Sequence, residues 1–235
     1  MKRFWETASA VPTEQGYAVL LDKKPMRLPG GAVLQVHSAA LAQALADEWQ
    51  AAGGQRGGEM SFADTPLTRL AGTAQARIAP DPGPTADAIA RYAETDLLCY
   101  RADWPPELVH RQAKLWQPWL DWAALTYDAP LRVTTGVIHV HQQPQALSAL
   151  RYAVHAMPPA ILAGLGIAVP ALGSLVLGLA LAEGALDASA AHALATLDEA
   201  FQAEQWGEDA GAAARRRSIA EEVALAARFM KLAKS

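Results

Sequence analysis

Ala79-Pro80-Asp81-Pro82-Gly83-Pro84 constrains this chain more than any other stretch. Three prolines within five residues remove backbone donors and fix φ, so neither a helix nor a strand continues across them. The chain therefore reads as two parts with a boundary near residue 80. Ahead of the break, Tyr17-Ala18-Val19-Leu20-Leu21 has strand composition and Asp22-Lys23-Lys24-Pro25 has turn chemistry. Met26-Arg27-Leu28 alternates, Pro29-Gly30-Gly31 interrupts, and Val33-Leu34-Gln35-Val36 returns, which predicts a small antiparallel meander. Ser38 then caps a helix to about Gln50, with Leu41, Leu45 and Trp49 at helical spacing. After the glycine loop around Gly53-Gly54 and Gly57-Gly58, a second helix begins near Pro66 and points Leu67, Leu70, Ala71, Ala74 and Ile78 inward.

Beyond the break the periodicity is helical. Thr85 is the expected cap of a helix whose inward stripe is Ile89, Tyr92, Asp96 and Cys99 or Tyr100. Pro105-Pro106 starts another, with Leu108, Gln112, Leu115, Trp119 and Trp122 in near-heptad order and Pro118 as a kink. Trp116, Trp119 and Trp122 are expected in the core. Leu131 to Gly136 is an extended connector, and Leu147, Leu150, Val154 and Met157 mark an amphipathic helix that Pro158-Pro159 ends. The expected fold class is α+β: a small N-terminal β-containing domain, residues 1–80, followed by a larger all-α helical bundle, residues 81–235.

From Ala160 to Ala182 no residue is charged, a length that could span a bilayer. Alanine and glycine dominate, Pro170 interrupts, and basic and aromatic anchors are missing from the flanks, so a buried core helix around Leu172 to Ala182 is the expectation. A later helix, Leu194 to Trp206, aligns Leu194, Leu197 and Phe201 on one apolar stripe and places Glu204 on the same stripe. Glu199, Gln202 and Trp206 project from the opposite side, and Gly207 ends the run. Ile219, Val223, Ala226 and Met230 define the last helix.

Function classes narrow from here. A net charge of −4 lacks the basic footprint of a nucleic-acid binder. Cys99 is the single cysteine, which excludes a disulfide framework and a cysteine-rich zinc site. No asparagine exists to carry a glycan. The basic start runs into no apolar core, so no targeting peptide and a bacterial cytoplasm, or the mitochondrial matrix in a eukaryote, are expected. The common motifs for phosphate, zinc-protease and serine-hydrolase chemistry are missing. Glu107-Leu108-Val109-His110 has the spacing of one half of a di-metal site, without the second copy such a site needs. His139 and His141 offer two ligands at most. Glu199 and Glu204 diverge by about 140° on one helix, which separates an acid from a base. No metal and no cofactor are expected, and the alternative is a carboxylate or metal enzyme using Glu107, His110, Glu199 or Glu204. Arg215-Arg216-Arg217 is either a solvated cap, with Arg217 paired to Glu221, or a clamp for an acidic partner.

Three segments in order carry a resemblance to one family: Tyr92-Ala93-Glu94-Thr95-Asp96-Leu97-Leu98-Cys99-Tyr100-Arg101, Trp116-Gln117-Pro118-Trp119-Leu120-Asp121-Trp122, and Asp198-Glu199-Ala200-Phe201-Gln202-Ala203-Glu204-Gln205-Trp206-Gly207. Arg3-Phe4-Trp5, Leu21-Asp22-Lys23-Lys24-Pro25 and Thr65-Pro66-Leu67-Thr68-Arg69 extend it. Together they resemble the assembly chaperones for the alpha subunit of F-type ATP synthase. The resemblance implies a non-enzymatic protein that binds free alpha subunit and keeps it from aggregating until beta arrives. It gives Glu199 an essential acidic role and places Phe201, Gln202, Trp206 and Gly207 in the family pattern. The expected partner-binding set is Glu199, Gln202, Trp206, Glu204 and Asp96, with Glu204 also expected to need a structural partner among Arg215 to Arg217. Neither nucleic acid nor stable membrane insertion is expected. Lys23, in place of a glycine, and Thr65, in place of a methionine, depart from the family pattern.

Overall fold

The computed structural model describes residues 1–136 and 138–235. They form two compact units. The first holds Met1–Pro82 together with Pro158–Gly164 and Arg228–Ser235, and the second holds Gly83–Met157 and Leu165–Ala227.

In the first unit, β1 (Ala8–Thr13) and β2 (Gly16–Leu21) form an antiparallel hairpin. β3 (Lys24–Pro25) and β4 (Gln35–Val36) both pair with β2, at Leu20 and Leu21 for one and at Tyr17 and Ala18 for the other. The expected meander is therefore present, with its last two strands sharing one edge of β2. A single bridge, Arg27 to Val33, links the arms between them. α1 (Ala39–Ala51) packs on β1 and β2, and the Ser38 hydroxyl caps it by accepting from Leu41 N. α2 (Pro66–Thr73) continues through a π turn to Ile78. Glu48 on α1 caps α2, accepting from Leu67 N at 2.7 Å and Thr68 N at 2.9 Å. A carboxylate at a helix N-terminus satisfies donors that otherwise have no intrahelical acceptor.

The β2–β3 turn explains one departure from the family pattern. Asp22 and Lys23 have φ of 47° and 68°, the left-handed pair that a two-residue hairpin turn demands. Asp22 tolerates it and also accepts from Thr7 N and Glu6 N, bonds that hold its carboxyl below the usual range. Lysine gains nothing comparable. Lys23→Gly is expected to stabilise the protein by about 1 kcal/mol, read as a rise of a few degrees in melting temperature. The other departure, Thr65, is fully buried, and its hydroxyl has no hydrogen-bond partner among the described residues.

The second unit begins earlier than Thr85. α3 (Gly83–Ala90) takes Pro84 into its first turn, where a missing N–H leaves no bond unmade. It does not reach Asp96 as a helix: short 3-10 segments follow at Arg91–Thr95 and Leu97–Cys99, with Asp96 between them. β5 (Tyr100–Arg101) then pairs in parallel with β6 (Thr134–Thr135). Between these strands, α4 (Pro106–Tyr127) buries Leu108, Gln112, Trp116, Leu120 and Ala123. The near-heptad stripe is thus corrected after Gln112: Leu115 is exposed, and Trp119 and Trp122 are half-buried. A 3.6-residue turn carries the inward face to Trp116, about 100° from Leu115.

α5 (Pro144–His155) and α6 (Pro159–Leu172) precede α7 (Leu175–Glu183). The uncharged run is two helices, broken at Gly173 with φ of 63°. α7 is buried on every side from Leu175 to Ala182, as an all-apolar core helix should be. A Cβ at Gly178 would lie 2.4 Å from Val169 Cγ2, so glycine alone lets these two helices meet. Among the described residues no helix is long and apolar enough to cross a membrane. α8 (Ala188–Ala195) and α9 (Leu197–Trp206) replace the single expected helix, parted at Thr196. The hydroxyl of Thr196 donates back to His192 O, one turn earlier. α10 (Ala210–Lys234) buries Val223, Ala226, Phe229 and Met230.

Candidate functional site

The candidate site is a face built by α9 against α4. Leu197 and Phe201 anchor α9 in the core, at 4% and 2% exposure, and Leu194 on α8 is buried beside them in sequence. Trp116 Nε1 donates to Leu194 O at 2.9 Å, tying α4 to the end of α8. Gly207, at φ 89°, ends α9 and donates its N–H to Ala203 O.

Glu204 extends from the apolar stripe and is half exposed rather than buried. Both of its oxygens accept from Arg111 Nη1 at 2.9 Å. Arg111 also reaches Glu107 at 3.4 Å and lays its guanidinium 5.1 Å from the centre of the Phe201 ring. The hydrogen bond from Arg111 holds the Glu204 carboxyl below the usual range. The expected partner among Arg215 to Arg217 is thus replaced by Arg111, from a helix far away in sequence. Arg216 instead pairs with Glu208 and its carbonyl lies 2.9 Å from His192 Nε2; no Arg217–Glu221 pair forms among the described residues. Arg215 and Arg217 are exposed.

Asp198 is held from the other side. Gln112 is fully buried and donates from Nε2 to Asp198 Oδ1 at 2.7 Å, while its Oε1 accepts from Ala102 N at 2.8 Å. Arg101 donates to the Gln112 carbonyl at 2.8 Å and stacks 5.4 Å from the Trp116 ring. Burial raises the Asp198 pKa above the ordinary carboxylate value; the Gln112 bond opposes this and the Glu199 charge adds to it. A polar residue on an inward stripe is the only hint of this network that the sequence carries, and Gln112 was visible there.

Against that background Glu199, Gln202 and Trp206 stand apart. Glu199 is half-buried, Gln202 is exposed and Trp206 is 79% exposed. None of their side chains makes a hydrogen bond or ion pair among the described residues. Glu199 lies in the first turn of α9, where the helix dipole favours a negative charge.

Asp96 occupies a different place. It is fully buried, and its oxygens accept from Ser174 Oγ at 2.8 Å, Val176 N at 3.0 Å and Leu98 N at 3.1 Å. Every one of these donors is internal, so the carboxylate braces the start of α7 and offers nothing to a surface. Burial nevertheless wins over the three bonds and pushes its pKa up to about 6.

Of the residues of the alternative enzyme, the structure brings two together. Glu107 and Glu204 both sit on Arg111, which spends the two carboxylates in one ion-pair cluster. The His139 and His141 rings meet edge to face at 4.8 Å, and His139 Nδ1 lies 3.1 Å from the Tyr100 hydroxyl. No group of three metal-ligating side chains exists among the described residues.

The sequence matches the family model of the ATP12 chaperone protein over residues 2–124, just over half of the chain. The crystal structure of Atp12 from Paracoccus denitrificans is similar at 44% identity and a TM-score of 0.93, covering 99% of this chain and 98% of that one. An aspartate-to-lysine mutant of the same Paracoccus protein superposes equally well, at a TM-score of 0.93 over 99% of this chain and 97% of that one. A protein from Agrobacterium tumefaciens is 38% identical at a TM-score of 0.89, covering 100% of this chain and 85% of that one. With a family match across more than half its length and relatives well above 30% identity, this chain belongs to the ATP12 family of chaperones, not to a family of enzymes.

Proposed function

We propose that this chaperone binds the free alpha subunit of F-type ATP synthase through the α9 face of its second, helical unit and releases it to beta. The observation that carries this reading is a contrast along one helix. Asp198 and Glu204 are engaged by Gln112 and Arg111, whereas Glu199, Gln202 and Trp206 have no side-chain hydrogen bond or ion pair among the described residues. An aromatic ring with a nearby charge and amide is the chemistry of an interface anchor. An isolated alpha subunit exposes apolar surface meant for beta, and such patches aggregate. A moderate face with polar anchors covers it and still yields to competition. Asp96 supports this face at a distance, as a brace within the same domain. The bacterial cytoplasm, or the mitochondrial matrix in a eukaryote, is where such a client is met.

Glu199→Lys tests the reading. Helical content should be unchanged and the melting temperature within about 2 °C of wild type, because a half-exposed side chain with no partner is removed. Capture of purified alpha subunit in a pull-down, and suppression of its aggregation by light scattering, should be lost. Trp206→Ala should behave alike, since its ring is too exposed to hold the fold together. Wild-type suppression by Glu199→Lys at equal stoichiometry would remove α9 as the contact.

A further inference from the structure

A second surface lies in the first unit, and none of its lining residues belongs to the partner-binding set. The β2–β3 arm and α2 enclose a groove of about 1170 Å³. That exceeds the roughly 300–1,000 Å³ of small-molecule sites. Its apolar lining includes Leu21, Met26 and Leu28, with Phe4 and Phe62 at the margin, each 60% exposed. Two large exposed rings beside an apolar floor are unusual for a surface with nothing to cover.

The charged side chains of the lining have one sign. Lys24, Arg27, Arg69 and Arg77 border the groove, and no aspartate or glutamate does among the described residues. None of the four sits in an ion pair among the described residues, although the chain as a whole carries a net charge of −4. A cluster of unpaired bases on an acidic protein is complementary to a negative ligand, and guanidinium forks select carboxylates. Gly72 shapes the floor: a Cβ there would lie 2.9 Å from Leu28 Cδ2, so glycine lets the β arm close down on α2.

We propose that this groove binds an acidic peptide segment with an apolar centre, and so gives the chaperone a second client-holding site. Arg69 and Arg77 stand eight residues apart on one continuous helical run. At 1.5 Å per residue this separates them by about 12 Å, which an extended peptide spans in about four residues. The ligand that fits has an apolar centre of about four residues, with alternate side chains over the floor, and carboxylates at both ends.

The probe is a short fluorescein-labelled peptide with a Leu-Phe-Ile-Leu centre between two glutamates on each side, and its lysine-flanked counterpart. Anisotropy titration of the full chain should show the acidic peptide bound at least about tenfold more tightly than the basic one, with the difference shrinking in high salt. Two variants should each weaken the acidic peptide by about tenfold or more: the Arg69→Glu/Arg77→Glu pair, and Ala76→Trp, which fills the groove from an exposed position. Both substitute exposed residues, and thermal melts establish that each still folds. Equal affinity for the two peptides, or undiminished binding by both variants, overturns the proposal. So does a dimer in sedimentation, or flotation with phosphatidylglycerol vesicles, that the two variants abolish while peptide binding is absent; the occupant is then a second copy or a lipid surface. No alpha subunit is present in this assay, so its outcome is separate from that of Glu199→Lys.

Discussion

Asp96→Ala is expected to lower the melting temperature by more than about 10 °C. The substitution leaves Val176 N, Leu98 N and Ser174 Oγ facing a void in the core of the second unit. Ser174 is itself the cap of α7, accepting from Leu177 N at 3.1 Å, so the damage extends along a chain of bonds. Each orphaned buried donor costs about 1–3 kcal/mol, and in a chain this long each kcal/mol moves the midpoint by about 2–4 °C. Asp96→Asn keeps the shape and one acceptor and should fall between the two.

The same pair of variants makes a pH prediction. In the folded state the Asp96 pKa is about 6, against an ordinary 3.8. Below about pH 4 both folded and unfolded forms are protonated there. Between pH 4 and 6 the unfolded chain loses its proton while the folded chain retains it, so stability falls as pH rises through that window and levels off above it. Urea melts at pH 4.5 and 7 should show this decline in wild type relative to Asp96→Asn. Asp87 and Glu204, whose carboxyls are held low by His155 and Arg111 respectively, push the other way in both proteins and cancel in the comparison.

Arg3→Ala should be as damaging in the first unit. Arg3 is 3% exposed and forms no ion pair among the described residues. Its guanidinium donates instead to the carbonyls of Trp5, Glu6, Gln50, Ala52 and Gly54, at 2.7 to 3.3 Å. Two of these, Gln50 O and Ala52 O, lie at the end of α1, where carbonyls lack intrahelical donors and the dipole attracts a cation. The group also stacks 5.4 Å from the Trp5 ring, which packs against Trp49. Removing it strands the carbonyls and opens a space beneath Trp5. A loss of about 3–5 kcal/mol, or failure to accumulate as soluble protein, is the expected result. Arg3→Lys should rescue little, because one ammonium cannot reach carbonyls now bound through three separate nitrogens. Denaturant melts of both variants would check this, and wild-type midpoints for Arg3→Lys would show that charge alone suffices.

Local chemistry was legible over much of the chain. Ser38 caps α1, Gly207 stops α9, and the inward faces of α2 and α10 follow their helical spacing, because each depends on neighbours within a turn or two. The family pattern likewise singled out Glu199, Gln202 and Trp206, side chains that need no internal partner. Heptad spacing puts the α4 stripe one residue out of phase, since it separates from helical spacing only after Gln112. Two breaks also escaped: the uncharged run is cut at Gly173, and the helix carrying Glu199 starts anew after Thr196.

The amino-acid sequence by itself determined that a β-containing start gives way to helices and that α9 carries acids on more than one side. Only the tertiary structure decided what each acid does. Arg111 meets Glu204 across 93 residues of chain, Gln112 meets Asp198 across 86, and Ser174 meets Asp96 across 78. Periodicity ranks which residues share a face, but a carboxylate's role depends on the donor placed against it from another helix. For Asp96 that donor set and full burial make a brace, and Glu199, with no such donor among the described residues, keeps a side chain turned outward.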